Sequence, residues 1–141
     1  MDTPKPIGYW LKHLHNLLEK QFDLALADLS VNRRQWQLLN TLSRGTRTQK
    51  ELREGLAPFW TDGEPDPREP LADLAARGWT QDDDGAISLT EQGRAAHADL
   101  AARIDRTRAA VLGDLPAEQY AETVRVLSIM AANVEATLQS R

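Results

Sequence analysis

The chain has 141 residues, 17 Lys and Arg against 21 Asp and Glu, 41% hydrophobic residues and no cysteine. A chain of this length can bury roughly 70% of its unfolded surface, so it needs no disulfide or metal staple, and without cysteine it has no thiolate metal site, thiol nucleophile or redox switch. A net charge of −4 argues against a generic polybasic binder of nucleic acid or anionic lipid, because both partners call for clustered Lys and Arg.

The first periodic segment places Ile7, Trp10, Leu11, Leu14, Leu17, Leu18, Phe22, Ala25, Leu26 and Leu29 on one face, which is a 3.6-residue period. A helix over 6–29 would be about 35 Å long, longer than a small domain is wide. Part of its stripe is therefore expected to pack on another chain. Lys12, His13, His15, Glu19 and Lys20 interrupt the apolar positions, so the segment is neither a secretory signal nor a membrane span. The expected compartment is the cytoplasm.

Asn32 with Gln35 three residues on, and Thr48 with Glu51, are two capping boxes. The first opens a helix running to Arg44 and stopping at Gly45, with Trp36, Leu38, Leu39 and Leu42 inward. The second opens a short helix that carries Leu52 and ends near Gly55. Residues 57–70 hold four of the seven prolines and read as a long turn. The next helix starts either with Asp66 as cap and Pro67 first, or at Pro70 itself. It turns Leu71, Leu74 and Ala75 inward and stops at Gly78.

Alternating residues on both sides of Asp84-Gly85 predict a β-hairpin. Thr90 then starts a long helix with Ala96, Leu100, Ile104, Thr107, Val111 and Leu112 on its apolar side, ending at Gly113. Pro116 sits just inside a last helix expected to bury Tyr120, Val124, Leu127, Ala131, Val134 and Leu138. The expected fold is mainly α with a small hairpin wing: a winged helix-turn-helix flanked by long dimerisation helices.

In this order and at these distances, RRQWQLLNTLSRG at 33–45, TQKELREGL at 48–56, LADLAARGW at 71–79 and ISLTEQGRAAHADL at 87–100 resemble the MarR family of bacterial transcriptional regulators. The resemblance covers about 7–138. It implies a single domain over 1–141, with a winged lobe at 31–93 between dimerisation helices at 1–30 and 94–141. It also implies a homodimer with two recognition helices in successive major grooves of duplex DNA and wings at the flanking minor grooves. In such a protein a small aromatic effector that prefers a splayed dimer releases DNA by shifting populations.

Two stretches depart from the family pattern. Where the recognition helix starts, the chain has Asp62, Glu64, Pro65, Asp66, Pro67, Arg68, Glu69 and Pro70, and the wing tip has Asp82, Asp83 and Asp84 in place of an arginine. Carboxylates repel phosphate and among base edges accept only from a cytosine amine. Over 31–93, eight basic residues face eleven acidic ones, a net −3. The second reading is accordingly a winged-helix dimer with lost or altered DNA binding that works as a protein-interaction or ligand-sensing module.

The candidate DNA contacts are Arg47, Thr48, Lys50 and Arg53 around the first motif helix, together with Arg68. The plainer alternatives are a solvated face with a Lys50–Glu54 pair, and an Arg68 that offsets Asp66 and Glu69. Tyr9, Trp10, Trp36, Phe59, Trp60 and Trp79 are either core or the wall of a pocket for a flat ligand, for which Trp10, His13, Trp36, Asn40 and His97 are the candidates. No metal site or cofactor is expected. The chain has no nucleophile elbow, P-loop, zinc helix or dinucleotide turn, so an enzyme is not expected either.

Overall fold

A computed structural model describes residues 4–60 and 66–141. In chain order the elements are α1 (Ile7–Ala27), α2 (Arg33–Leu42), α3 (Gln49–Leu56), α4 (Arg68–Ala76), β1 (Thr80–Asp83), β2 (Ala86–Leu89), α5 (Glu91–Leu112) and α6 (Ala117–Gln139). They divide into two units, Met1–Asp105 and Arg106–Arg141, with the division inside α5. The winged helix-turn-helix and its hairpin lie wholly in the first.

Both capping boxes are formed. Asn32 Oδ1 accepts from the Gln35 backbone N–H and Gln35 Oε1 accepts from that of Asn32, each at 2.9 Å. Thr48 and Glu51 repeat the exchange at 3.2 and 3.0 Å. Each box satisfies amide donors that the first turn would otherwise leave orphaned. The helix α2 ends two residues earlier than expected, at Leu42, and its buried residues are Gln35, Leu38, Leu39 and Leu42, with Trp36 half-buried.

The helix α4 starts at Arg68 with Pro67 as its N-cap and no side-chain cap bond, one residue later than the expected start with Asp66 as cap and Pro67 first, and before Pro70. Asp66 Oδ1 accepts from the Arg68 N–H at 3.0 Å just ahead of it. Pro70 occupies the third helical position, where a missing N–H costs no intrahelical bond. Leu71 and Leu74 are buried, whereas Ala75, expected inward, is exposed. The expected acidic residues Asp62 and Glu64, with Pro65, lie outside the described residues.

The hairpin is antiparallel, in register from Thr80↔Leu89 to Asp83↔Ala86. Its two loop residues, Asp84 (φ 58°) and Gly85 (φ 95°), are both left-handed, as a two-residue turn matching the strand twist requires. Backbone bonds between Arg47 and Ile87, 2.9 and 2.8 Å in the two directions, pin the segment before α3 to β2.

A tight junction joins the hairpin to α5. Thr90 donates its hydroxyl to the Gly78 carbonyl (2.5 Å) and accepts from the Gly93 N–H (3.0 Å), while its own N–H bonds the Trp79 carbonyl (3.0 Å). Gly93 is buried in α5, and a Cβ there would lie 1.9 Å from that carbonyl oxygen. The glycine is a condition of the close approach.

The core contains Leu38, Leu39, Leu52, Leu74 and Leu100, together with Trp60 and the two buried residues of β2, Ile87 and Leu89. The end of α1 joins it through Leu26 and is held by three arginines. Arg33 bonds Glu19 (2.6 Å) and Asp23 (2.7 Å), Arg103 bonds Asp28 (3.1 Å), and Arg77 donates to the Leu29 carbonyl (2.8 Å) and to that of Ser30.

The rest of α1 and all of α6 behave differently. Ile7, Trp10, Leu11, Leu14, Leu17 and Leu18 are exposed. No residue of α6 is buried: Tyr120, Val124, Ala131, Val134 and Leu138, expected inward, are exposed, and Leu127 is half-buried. Pro116 is the residue before α6 rather than its first. Periodicity marks which face of a helix is apolar; burial also requires a surface to cover it, and neither stripe meets one within its own unit.

Candidate nucleic-acid interface

The start of α3, the outward side of α4 and the wing converge on one surface of the first unit. Thr48 is there as the cap of α3, with its hydroxyl and carbonyl already used in the capping box and the helix. The Glu51 carboxyl is held below its usual range, first by the Thr48 backbone N–H and then by its hydroxyl. Lys50 is exposed, with Nζ 4.0 Å from Glu54, and Arg53 is exposed. Arg47 is half-buried; its backbone belongs to the sheet edge and its Nη1 donates to the Thr46 carbonyl at 3.0 Å. The structure thus gives Arg47 a structural role besides leaving part of its side chain accessible.

Arg68, 74% exposed at the start of α4, is gripped by Asp66: Nη2 to Oδ2 at 2.9 Å, and Nε to both carboxylate oxygens at 3.0 and 3.2 Å. These bonds from the guanidinium, ahead of the backbone bond and the charge of Arg53, pull the Asp66 carboxyl down to about 2. The pair stays ionised at neutral pH and contributes no net charge to the interface. The remaining outward positions of α4 are Glu69, Ala72, Asp73, Ala75 and Ala76. Of these carboxylates, Asp73 accepts from the buried Gln35 side chain at 2.5 Å.

Several arginines counted in the lobe are committed elsewhere. Arg33 and Arg77 hold the end of α1, and Arg34 stacks its guanidinium 4.7 Å from the Trp60 ring, whose indole N–H donates to Gln37. The ionic repulsion expected from composition is therefore not relieved by these residues. At the wing, Asp82, Asp83 and Asp84 are exposed, and Asp82 Oδ1 accepts from the Gly85 N–H at 2.7 Å.

Between the start of α3, α4 and the hairpin runs a groove of about 230 Å³, lined in part by Gln49, Arg68, Thr80 and Gln81. Three of these were not singled out by the sequence. Gln49 follows a cap residue and Gln81 is an ordinary strand polar residue, so neither has a motif. Thr80 is the one buried residue of β1, followed by three exposed ones, so no alternation in the sequence marks it as inward.

The candidate pocket residues separate into two groups. Trp36 and His97 stack with ring centroids 5.2 Å apart and planes 6° from parallel, and His97 Nε2 lies 3.1 Å from Asn40 Oδ1. Burial, and then the charge of Arg44, lowers the His97 pKa. Trp10 and His13 instead group with Tyr9 on the exposed stretch of α1, at centroid distances of 5.1 Å (Tyr9–Trp10), 5.7 Å (Tyr9–His13) and 6.3 Å (Trp10–His13). Of the other aromatics, Trp60 is buried and Phe59 exposed. Among the described residues no group of three or more His, Asp or Glu is placed to hold a metal, and no helix is long and apolar enough to cross a membrane.

No family model and no curated protein matches the sequence. Solved structures do. The chain is similar to the MarR family protein Rv2887 of Mycobacterium tuberculosis, at 25% identity and a TM-score of 0.69 over 89% of this chain and 94% of that one. It is similar to the same protein in complex with DNA, at 24% identity and a TM-score of 0.70 over 90% and 98%. It is also similar to MepR, a transcription regulator of the Staphylococcus aureus multidrug efflux pump MepA, at 16% identity and a TM-score of 0.65 over 92% and 99%. The winged helix fold of MarR family regulators is the fold of this chain, from α1 through α6.

Proposed function

We propose that the chain is a MarR-type transcriptional regulator that binds duplex DNA as a homodimer. Its one domain, 1–141, consists of a winged lobe at 31–93 and dimerisation helices at 1–30 and 94–141. The observation that carries the reading is a capped α3 leading into α4 with a hairpin beside it, in a fold shared along almost its whole length with a protein solved in complex with DNA. Such an arrangement places one helix in a major groove and the wing at the neighbouring minor groove. The exposed stripes of α1 and α6 support the dimer, because apolar faces of that extent are normally covered. The protein acts by binding, in the cytoplasm, and needs no cofactor.

Rv2887 has also been solved in complex with p-aminosalicylic acid and with salicylic acid. That supports a small aromatic effector here. The stacked Trp36 and His97 beside Asn40 supply a flat apolar wall and a polar anchor, and Trp10 and His13 of α1 remain candidates to complete the site from the dimerisation side.

Fluorescence anisotropy with duplex DNA from upstream of the chain's own gene, at several salt concentrations, tests the reading. Specific binding is expected, falling with salt at a slope of about −0.9 per phosphate neutralised. Light scattering is expected to give twice the chain mass. The lobe's net charge of −3 favours the second reading, a dimer that senses a ligand or protein without DNA. A folded dimer with no DNA binding at low salt would establish that reading and overturn the first.

A further inference from the structure

The outer crest of α4 carries one carboxylate that nothing holds. Ala72 lines both the groove beside the hairpin and a cleft of about 640 Å³ between α4 and the start of α2, which puts it on the ridge between them. Arg68 and Ala75 flank this ridge on the hairpin side, Glu69 and Asp73 on the α2 side. The charged groups around Glu69 are engaged: Arg68 with Asp66 through Nε and Nη2, Asp73 with the Gln35 amide, and Arg34 with the face of Trp60. Glu69 itself makes no hydrogen bond or ion pair with the described residues.

Glu69 is the second residue of the helix, and the first residues of a helix laid in a major groove are the ones that reach base edges. The crest beyond it is alanine at 72, 75 and 76, so the backbone can come close. A carboxylate has acceptors and no donor. Phosphate repels it, as do the N7 and O6 of guanine and the O4 of thymine, and adenine presents its amine beside the acceptor N7. Cytosine alone offers an amine with no acceptor of its own beside it.

We propose that Glu69 determines the sequence this chain reads, accepting from the N4 amine of one cytosine in each half-site of a duplex. The proposal rests on the DNA-binding reading above and adds the base that α4 selects. It also assigns a use to a charge that works against affinity. A carboxylate on the DNA face weakens binding to every duplex, and weakens it least where a cytosine amine meets it, so lost affinity becomes discrimination.

The test is selection of bound duplexes from a randomised pool by the full-length wild type, by Glu69→Gln and by Glu69→Ala, followed by anisotropy on the selected sequences. The wild type is expected to select cytosine at one position of each half-site, and any other base there is expected to weaken binding about 10-fold. Glu69→Gln, whose amide can pair with both N6 and N7 of adenine, is expected to select adenine at that position. Glu69→Ala is expected to accept all four bases there alike and to bind the pool more tightly. A residue that only stabilised the first turn of α4 would change the affinity for every sequence and leave the selected base unchanged.

Selection of the same sequence by the wild type and Glu69→Gln, a wild-type preference at the affected position for any base but cytosine, or selection of no sequence by a wild type that binds the pool overturns the assignment of Glu69 and leaves the DNA reading intact. Failure of the folded wild-type dimer to bind any duplex at low salt overturns both. Should Glu69→Ala fail to fold, as thermal melting would show, the exchange of cytosine for adenine by the near-isosteric Glu69→Gln decides the matter.

Discussion

The first unit and the carboxy-terminal helix put their apolar residues to different ends. In the first unit, Leu38, Leu39, Leu52, Leu74 and Leu100 are fully buried against one another. In α6, Val124, Ile129, Met130, Val134 and Leu138 recur at helical spacing and all are exposed. A helix of 23 residues with none fully buried gains little beyond its own backbone bonds to offset its ordering entropy. The lobe holds itself together, whereas within its own unit α6 has no core to join.

The largest expected effect breaks the lobe from inside. Gly93→Ala sets a methyl 1.9 Å from the Trp79 carbonyl oxygen, backbone that moves only if the hairpin junction moves. A loss on the order of 3 kcal/mol is expected from overpacking at such a contact, read by chemical denaturation. A denaturant midpoint equal to that of wild type would mean that the junction is looser than the structure shows.

On the other side of the comparison, Val134→Asp is expected to leave the lobe intact and act through association. A stability that depends on partner binding rises with protein concentration. The wild-type melting temperature is therefore expected to climb with dilution reversed, and the variant is expected to lose that dependence and to scatter as a monomer. Unchanged mass in the variant would remove α6 from the dimer interface.

The same contrast governs how much could be read from sequence. Local rules carried the first unit: both capping boxes, the two-residue turn at Asp84-Gly85 and the apolar positions Leu38, Leu39, Leu100 and Ile104 are where spacing puts them. Inward faces failed where the covering surface is not local, as for Tyr120 and Val134, or where a polar side chain replaces an expected ring, as Gln35 does beside Trp36. Gln35 is buried because it closes its own helix cap and reaches Asp73, a contact 38 residues away that no periodicity encodes. The candidate site was legible only in part. Thr48, Lys50 and Arg68 follow from helix starts, but the groove needs three separate segments, and Thr80, Gln81 and Gln49 meet only in three dimensions.

A smaller effect sharpens the account of the lobe's amino-terminal caps. Thr48→Ala removes the acceptor for the Glu51 N–H while keeping the backbone N–H that chiefly depresses the Glu51 carboxyl, and is expected to cost about 1 kcal/mol. Thr48→Ser restores the bond and is expected to recover most of that loss. If Ala and Ser behave alike in denaturant titration, the capping box contributes nothing to stability.

The smallest effect is a pH dependence at the Trp36–His97 contact, where the two regions' logic meets: a titratable ring is stacked in a half-buried place that disfavours its charge. Burial and Arg44 lower the folded-state pKa of His97 below its ordinary 6.5. As pH falls through that ordinary value, the unfolded chain takes up the proton first, so stability falls with it, and the loss levels off below the folded-state pKa. Above both values the ring is neutral in both states and contributes no slope. His97→Gln keeps a group able to bond Asn40 and removes the titration, so its denaturation midpoint is expected to vary less with pH across that window than that of the wild type. Identical profiles would show that the stacked histidine is as readily protonated folded as unfolded, and that the stack with Trp36 offsets the burial.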